Sequence, residues 1–154
     1  MTPVDVEKLF EYIKYNDASE LKDALKDDRI DPNSTDNQGW SLLHRACEIG
    51  NLECVNVFLN DTRTNINIKG PQRITPLFSA IEKQQLECAT MLLAHCNINA
   101  NIRNEAQQTP LHYSVTNDRI DFVKLLLKHP NISVCATDAN SKTATQLAKV
   151  SDST

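Results

Sequence analysis

Four histidines and five cysteines are the side chains in this 154-residue sequence best suited to chemistry at neutral pH. His44 and His112 sit in the stretches SLLHRAC and TPLHYSV. A general base needs a nucleophile or a carboxylate partner at a workable distance, and none is visible near either ring. His95-Cys96 is a pair of neighbouring ligands where zinc needs three or four. The cysteines, at 47, 54, 88, 96 and 135, are odd in number and include no CxxC. They fit neither a zinc site nor a disulfide framework, and free thiols are expected. With three glycines in the whole chain, a phosphate-cradling loop has no material. Glu82 and Glu87 read as solvated helical carboxylates. No catalytic residue, metal site or cofactor is expected.

The elements that must carry these residues follow a repeat. SLLHRACEIGNLECVNVFLN from Ser41, TPLFSAIEKQQLECATMLLA from Thr75 and TPLHYSVTNDRIDFVKLLLK from Thr109 align without a gap at an offset of 34 residues. TATQLAKV from Thr143 falls on the same grid, and EKLFEYIKYNDASELKDALK from Glu7 carries it more weakly. Leucine recurs at 9, 43, 77 and 111 and at 25, 59, 93 and 127; asparagine recurs at 33, 67 and 101. A fixed period of this size means stacked supersecondary units.

Each unit reads as two short helices. The first is capped by serine or threonine, with proline following in two copies. A turn follows at Asn16, Gly50, Gln84 or Asp118, where a left-handed residue is expected and Gln84 is the poorest candidate. The second helix is apolar at Leu52, Val55, Phe58 and Leu59 and their equivalents. Cys54 and Cys88 share a position with Phe122, which marks it as core. About fifteen turn-forming residues lead to the next unit. His95 and His129, one period apart, are expected at the exposed ends of second helices, where a cation suits the dipole.

The hydrophobic content of 40% is ample for a core, and the net charge of −4 argues against a general nucleic-acid binder. No apolar run approaches a membrane span, and the N-terminus has no secretory-signal pattern. A monomer working in the cytoplasm, the nucleus or both is expected. The opening methionine favours a natural start, while TATQLAKVSDST reads either as a cap or as the cut edge of a larger protein.

The period, the T-P-L-H start and the paired helices with turn-rich loops resemble the ankyrin-repeat family, whose unit is about 33 residues long with a T-P-L-H-x-A signature. The resemblance spans essentially the whole chain. It implies an all-α repeat solenoid of stacked helix-turn-helix units joined by β-hairpin-like loops. The single domain, 1–154, divides into an N-terminal capping repeat (1–35), full repeats (36–69, 70–103 and 104–137) and a truncated repeat (138–154). It implies that His44 and His112 tie adjacent loops by hydrogen bonds, a bond Phe78 cannot make, so the second full repeat should be more loosely tied. The hairpin-tip glycine is present as Gly39 but replaced by Arg73, Gln107 and Ser141, which predicts altered turns there. Asn33, Asn67 and Asn101 satisfy turn backbone groups. By family analogy, asparagines at this place can also be substrates of an asparaginyl hydroxylase.

The resemblance also implies a partner-binding groove made of hairpin tips and first helices. Its tip positions are Asn37, Gln38 and Trp40, then Pro71, Gln72, Arg73 and Ile74, then Glu105, Gln107 and Gln108. The helical positions are Glu48, Ile49, Glu82, Lys83, Thr116 and Asn117. Trp40, the only tryptophan, has two readings: a binding anchor or a cover folded over the neighbouring hairpin. Arg73 offers a forked donor. The expected function is a non-enzymatic interaction module for another protein. The alternatives are an inhibitor or regulatory subunit of an enzyme such as a protein kinase, or the ankyrin part of a larger multidomain protein.

Overall fold

The computed structural model describes residues 5–151. Among them are nine α-helices: α1 (Val6–Lys14), α2 (Ala18–Ala24), α3 (Leu42–Ile49), α4 (Leu52–Leu59), α5 (Pro76–Glu82), α6 (Leu86–Ala94), α7 (Pro110–Thr116), α8 (Ile120–Leu127) and α9 (Ala144–Ser151). A single 3-10 turn, Pro71–Arg73, lies between α4 and α5. The helices form two rows. In one, α1, α3, α5, α7 and α9 touch in that order; in the other, α2, α4, α6 and α8 do. The solenoid expected from the repeat is the architecture found.

The helices are antiparallel pairs because the backbone reverses through a left-handed residue at the expected place in each of the four pairs. Asn16, Gly50, Gln84 and Asp118 have φ of 58°, 86°, 60° and 53°. The core runs between the rows. Leu9, Leu43, Leu77 and Leu111 form one buried column, and Cys54, Cys88 and Phe122 another. The outer row ends at α8 among the described residues. Leu127 is accordingly 51% exposed, whereas Leu25 and Leu93, at the same position earlier, are 5% and 8% exposed.

The hairpins correct one expectation. Arg73, Gln107 and Ser141 adopt the same left-handed conformation as Gly39, at φ 60°, 60° and 58°. Each closes its loop with a backbone bond from its own N–H to the carbonyl three residues back, at 3.0–3.1 Å in all four hairpins. Turn geometry survives loss of the glycine because the loop is held from its base. Asp36 Oδ1 accepts the Gln38 and Trp40 amides, Asp138 Oδ1 those of Asn140 and Lys142, and Asn104 Oδ1 that of Gln108. The one departure is Gln72, which is also left-handed at φ 53°. Here Gly70 occupies the Asx position and offers no side-chain acceptor, and proline follows to fix φ.

The asparagine series does more than serve its own turn. Asn33 donates to the Arg63 carbonyl at 2.9 Å and accepts the Asn65 amide at 2.7 Å. Asn67 bonds Asn97 and Asn99, and Asn101 bonds Asn131 and Ser133, in the same way. Each carboxamide thus clamps the following unit.

Ser41 and Thr109 cap α3 and α7 through their side chains, whereas Thr75 makes no such bond at α5. Phe78 is buried and meets Tyr113 edge-on, with ring centroids 5.7 Å apart. An uncapped first turn opens more easily. The amides of Thr75, Leu77 and Phe78 should therefore exchange with deuterium faster than those of residues 41–44 in a native-state exchange experiment. Equal or slower exchange would refute the looser tie.

Candidate functional site

His44 is 1% exposed. Its Nε2 lies 2.9 Å from the Ile74 carbonyl, which can only accept, so Nε2 carries the proton. Nδ1 then holds a lone pair toward the Ser41 hydroxyl at 2.8 Å and the Ser41 amide at 3.3 Å. The His44 amide returns the bond to the Ser41 hydroxyl. His112 repeats this with Thr109 and the Lys142 carbonyl. Both nitrogens of each ring are spent on structure, and neither is left to a substrate.

His95 and His129 depart from expectation. They are half-buried, and each Nδ1 accepts an amide proton two residues on, from Asn97 and Asn131. His95 Nε2 also donates to the Leu59 carbonyl of the preceding unit at 3.2 Å. Each ring thus presents Nδ1 as an acceptor to its own loop. They take over the work that Asp27 and Asp61 do for the Arg29 and Arg63 amides.

Cys47, Cys54 and Cys88 are buried and unpaired; Cys96 and Cys135 are exposed and unpaired. Burial pushes the Cys47 thiol well up and the Cys54 and Cys88 thiols to about 11. Among the described residues no three His, Cys, Asp or Glu side chains are grouped as metal ligands. No helix among them is long and apolar enough to cross a membrane.

Six of the residues assigned to a groove line two clefts: Asn37 and Ile49 one, Trp40, Glu48, Glu82 and Lys83 the other. A cleft of about 600 Å³ is lined from α1, the first hairpin and α3 by Phe10, Glu11, Asn37, Arg45 and Ile49 among others. A smaller one of about 150 Å³ joins Trp40 to Arg45, Glu48, Ser79, Glu82 and Lys83. Arg45 belongs to both. It was absent from the sequence reading, and it organises this surface. Its Nε and Nη2 bond Asp36 Oδ2 at 2.9 and 2.7 Å, and Nη2 also reaches Gln38 Oε1. Its Nη1 bonds Glu48, whose other oxygen lies 3.5 Å from Lys83. Burial raises the Asp36 carboxyl, yet the guanidinium and the Trp40 and Gln38 amides together bring it below the usual carboxylate value. An acid and a base nine residues apart, on a loop and the helix after it, were the available signal.

Trp40 is half-buried, edge-on to His44 with ring centroids 5.3 Å apart, and Arg45 lies 5.8 Å from its ring centre. A Cβ at Gly70 would come within 3.1 Å of the indole and 3.3 Å of the imidazole. The second hairpin therefore lies against Trp40, as the covering reading required. Pro71 packs similarly near Gly39. Ile74 is half-buried and lends its carbonyl to His44. Gln72 accepts the Glu105 amide at 2.8 Å, linking two hairpins. Gln108 is half-buried. Thr116 and Asn117 turn back to carbonyls of their own helix. Asn37, Gln38, Ile49, Gln72, Arg73, Glu82, Lys83, Glu105 and Gln107 are exposed, and Glu48 is half-exposed within the Arg45 network. Burial and the Glu82 carboxylate raise the Tyr113 phenol on the same surface.

Two predictions follow from these burial patterns. Burial lowers His44 from 6.5 to about 4, so the folded chain holds it neutral while the unfolded chain protonates it. Its contribution is complete above pH 6.5 and is lost as pH falls toward 4. Between pH 7 and 4.5 the wild type should lose on the order of 2 kcal/mol more than His44→Phe in urea unfolding; equal losses would exclude the effect. A thiol reagent should label Cys96 and Cys135 quickly in the native protein and the other three only on unfolding. Fast labelling of Cys47 would contradict the burial.

A family model described as ankyrin repeats, in three copies, matches residues 9–104 and again 64–138. Among curated proteins, acyl-CoA-binding domain-containing protein 6 of Rattus norvegicus is 39% identical over 51 residues. Its Homo sapiens counterpart is 37% identical over 51 residues. Each match covers 33% of this chain and 18% of the relative.

Proposed function

This chain belongs to the ankyrin-repeat family, and we propose that it is a non-enzymatic protein-interaction module. It would hold a segment of a partner protein against the face shared by the hairpin tips and the helices of the α1–α3–α5–α7 row. The reading rests on one observation. Positions equivalent by the 34-residue period vary less where they are buried than where they face this groove. The buried column is leucine four times, at 9, 43, 77 and 111. The groove columns read Glu11, Arg45, Ser79, Tyr113 and Lys14, Glu48, Glu82, Thr116. A scaffold that repeats its core and varies its face is suited to specifying one partner, with little ordering entropy to lose.

The curated relatives are named for acyl-CoA binding, and 51 shared residues amounting to 18% of their length give no ground for transferring that activity. The groove positions carry the proposal instead: the tips 37, 38, 40, 71–74, 105, 107 and 108, and the helical sites 48, 49, 82, 83, 116 and 117. Trp40 contributes as much by holding the second hairpin as by offering its edge. Replacing it would confound binding with stability.

The test is affinity capture from the source cells with three baits: wild type, Arg73→Ala/Lys83→Ala, and Lys22→Ala/Lys26→Ala on the far side. A partner held by the first and third baits and reduced about tenfold on the second supports the groove. Equal capture by all three baits would move the site elsewhere.

A further inference from the structure

We infer that the 600 Å³ cleft between α1 and the first hairpin takes a basic-apolar peptide segment of the partner, an apolar side chain seated against Phe10 and Ile49 with a lysine or arginine reaching Glu7 and Glu11. This rests on the interaction-module reading and specifies its chemistry at one end of the groove.

Three observations carry it. Phe10 occupies the position held by His44, Phe78 and His112 in later units, but it is half-exposed where those are buried. Ile49, 45% exposed, faces the same cleft and takes no part in the hydrogen-bonded network beside it. The cleft volume falls in the range of roughly 300–1,000 Å³ typical of ligand sites, and Arg45 is a wall it shares with the smaller cleft. That shape suits a polypeptide continuing along the groove better than a compact molecule.

The charge on its rim selects the occupant. Arg45 is matched by Asp36 and Glu48, so that wall presents no net basic charge. Lys14 also lines the cleft, its ammonium 5.3 Å from the centre of the Tyr15 ring, so the lining carries the cations Lys14 and Arg45 against the carboxylates of Glu7, Glu11 and Asp36 and stays acidic on balance. Glu7 and Glu11 are exposed, one turn apart on α1, and form no salt bridge among the described residues. Like charges at that spacing weaken a helix by about 0.2–0.5 kcal/mol. A cation placed over the pair relieves that repulsion.

The experiment selects phage-displayed random peptides of about 12 residues on the full chain and measures the winners as labelled synthetic peptides by fluorescence anisotropy. The winners should carry Lys or Arg within four positions of an apolar residue. Their affinity should fall about tenfold on Glu7→Lys/Glu11→Lys and on Ile49→Ser, both exposed changes whose folding circular dichroism checks. Exchanging the peptide's Lys for Glu should restore binding to the charge-reversed chain. Winners that depend on Arg73 and Lys83 but ignore Glu7 and Glu11 would overturn this inference and leave the groove standing. Winners indifferent to both sets would overturn both, and no enrichment over bare support would overturn the cleft.

Discussion

No α-helix among the described residues exceeds nine residues. Isolated helices shorter than about 12–15 residues are marginal in water, so none of these stands alone. Everything else in the structure depends on each unit burying its apolar face against the next. That constraint explains why polar side chains are spent between units. Three sets of bonds span the junctions. Asparagine carboxamides clamp the loops after the second helices. Histidine Nε2 atoms fasten first helices to the following hairpin. Asn51 and Gln85 reach back to carbonyls at the ends of the preceding first helices.

These bonds locate stiffness and weakness along the stack. The junction after α5 lacks the histidine bond, and it compensates with aromatic contact between Phe78 and Tyr113 and with the Glu105–Gln72 backbone bond between hairpins. The first hairpin is the most heavily braced. Asp36 holds its loop, Arg45 holds Asp36, and Trp40 covers the histidine bond and the approach of Gly70. An Asx at position 70, as in the other hairpins, would set its Cβ 3.1 Å from the indole, which would have to give by a few tenths of an ångström. The missing turn acceptor in the second hairpin and the large side chain in the first therefore go together.

Much of the architecture was legible in the sequence, because periodicity states which positions are equivalent. The left-handed residues at 16, 50, 84 and 118, the leucine columns and the capping hydroxyls all lay on the 34-residue grid. Periodicity does not state what an equivalent position meets across a junction. Hence His95 and His129 read as helix-end cations when each presents Nδ1 as an acceptor to its own loop, standing in for Asp27 and Asp61. The hairpin glycine failed for a related reason: its replacement by Gln107 or Ser141 matters little where an Asx side chain pins the base of the loop, and Arg73 keeps the left-handed conformation without that pin, beside a second left-handed residue. Arg45 escaped notice because its equivalents are Glu11, Ser79 and Tyr113. A network built at one unit leaves no trace in a pattern drawn from all of them.

That blind spot coincides with the surface proposed to distinguish partners. A side chain common to every unit is accounted for by stacking, and it is buried or bonded across a junction. One that occurs once, such as Arg45 with its ties to Asp36, Glu48 and Gln38, owes nothing to the repeat. It fixes the neighbouring carboxylates and the indole edge in one arrangement before any ligand arrives. The stack supplies rigidity and the exceptions supply identity. In this chain the exceptions gather toward one end of the groove, where Glu7, Phe10, Trp40, Arg45 and Ile49 replace or interrupt the pattern within two adjacent units.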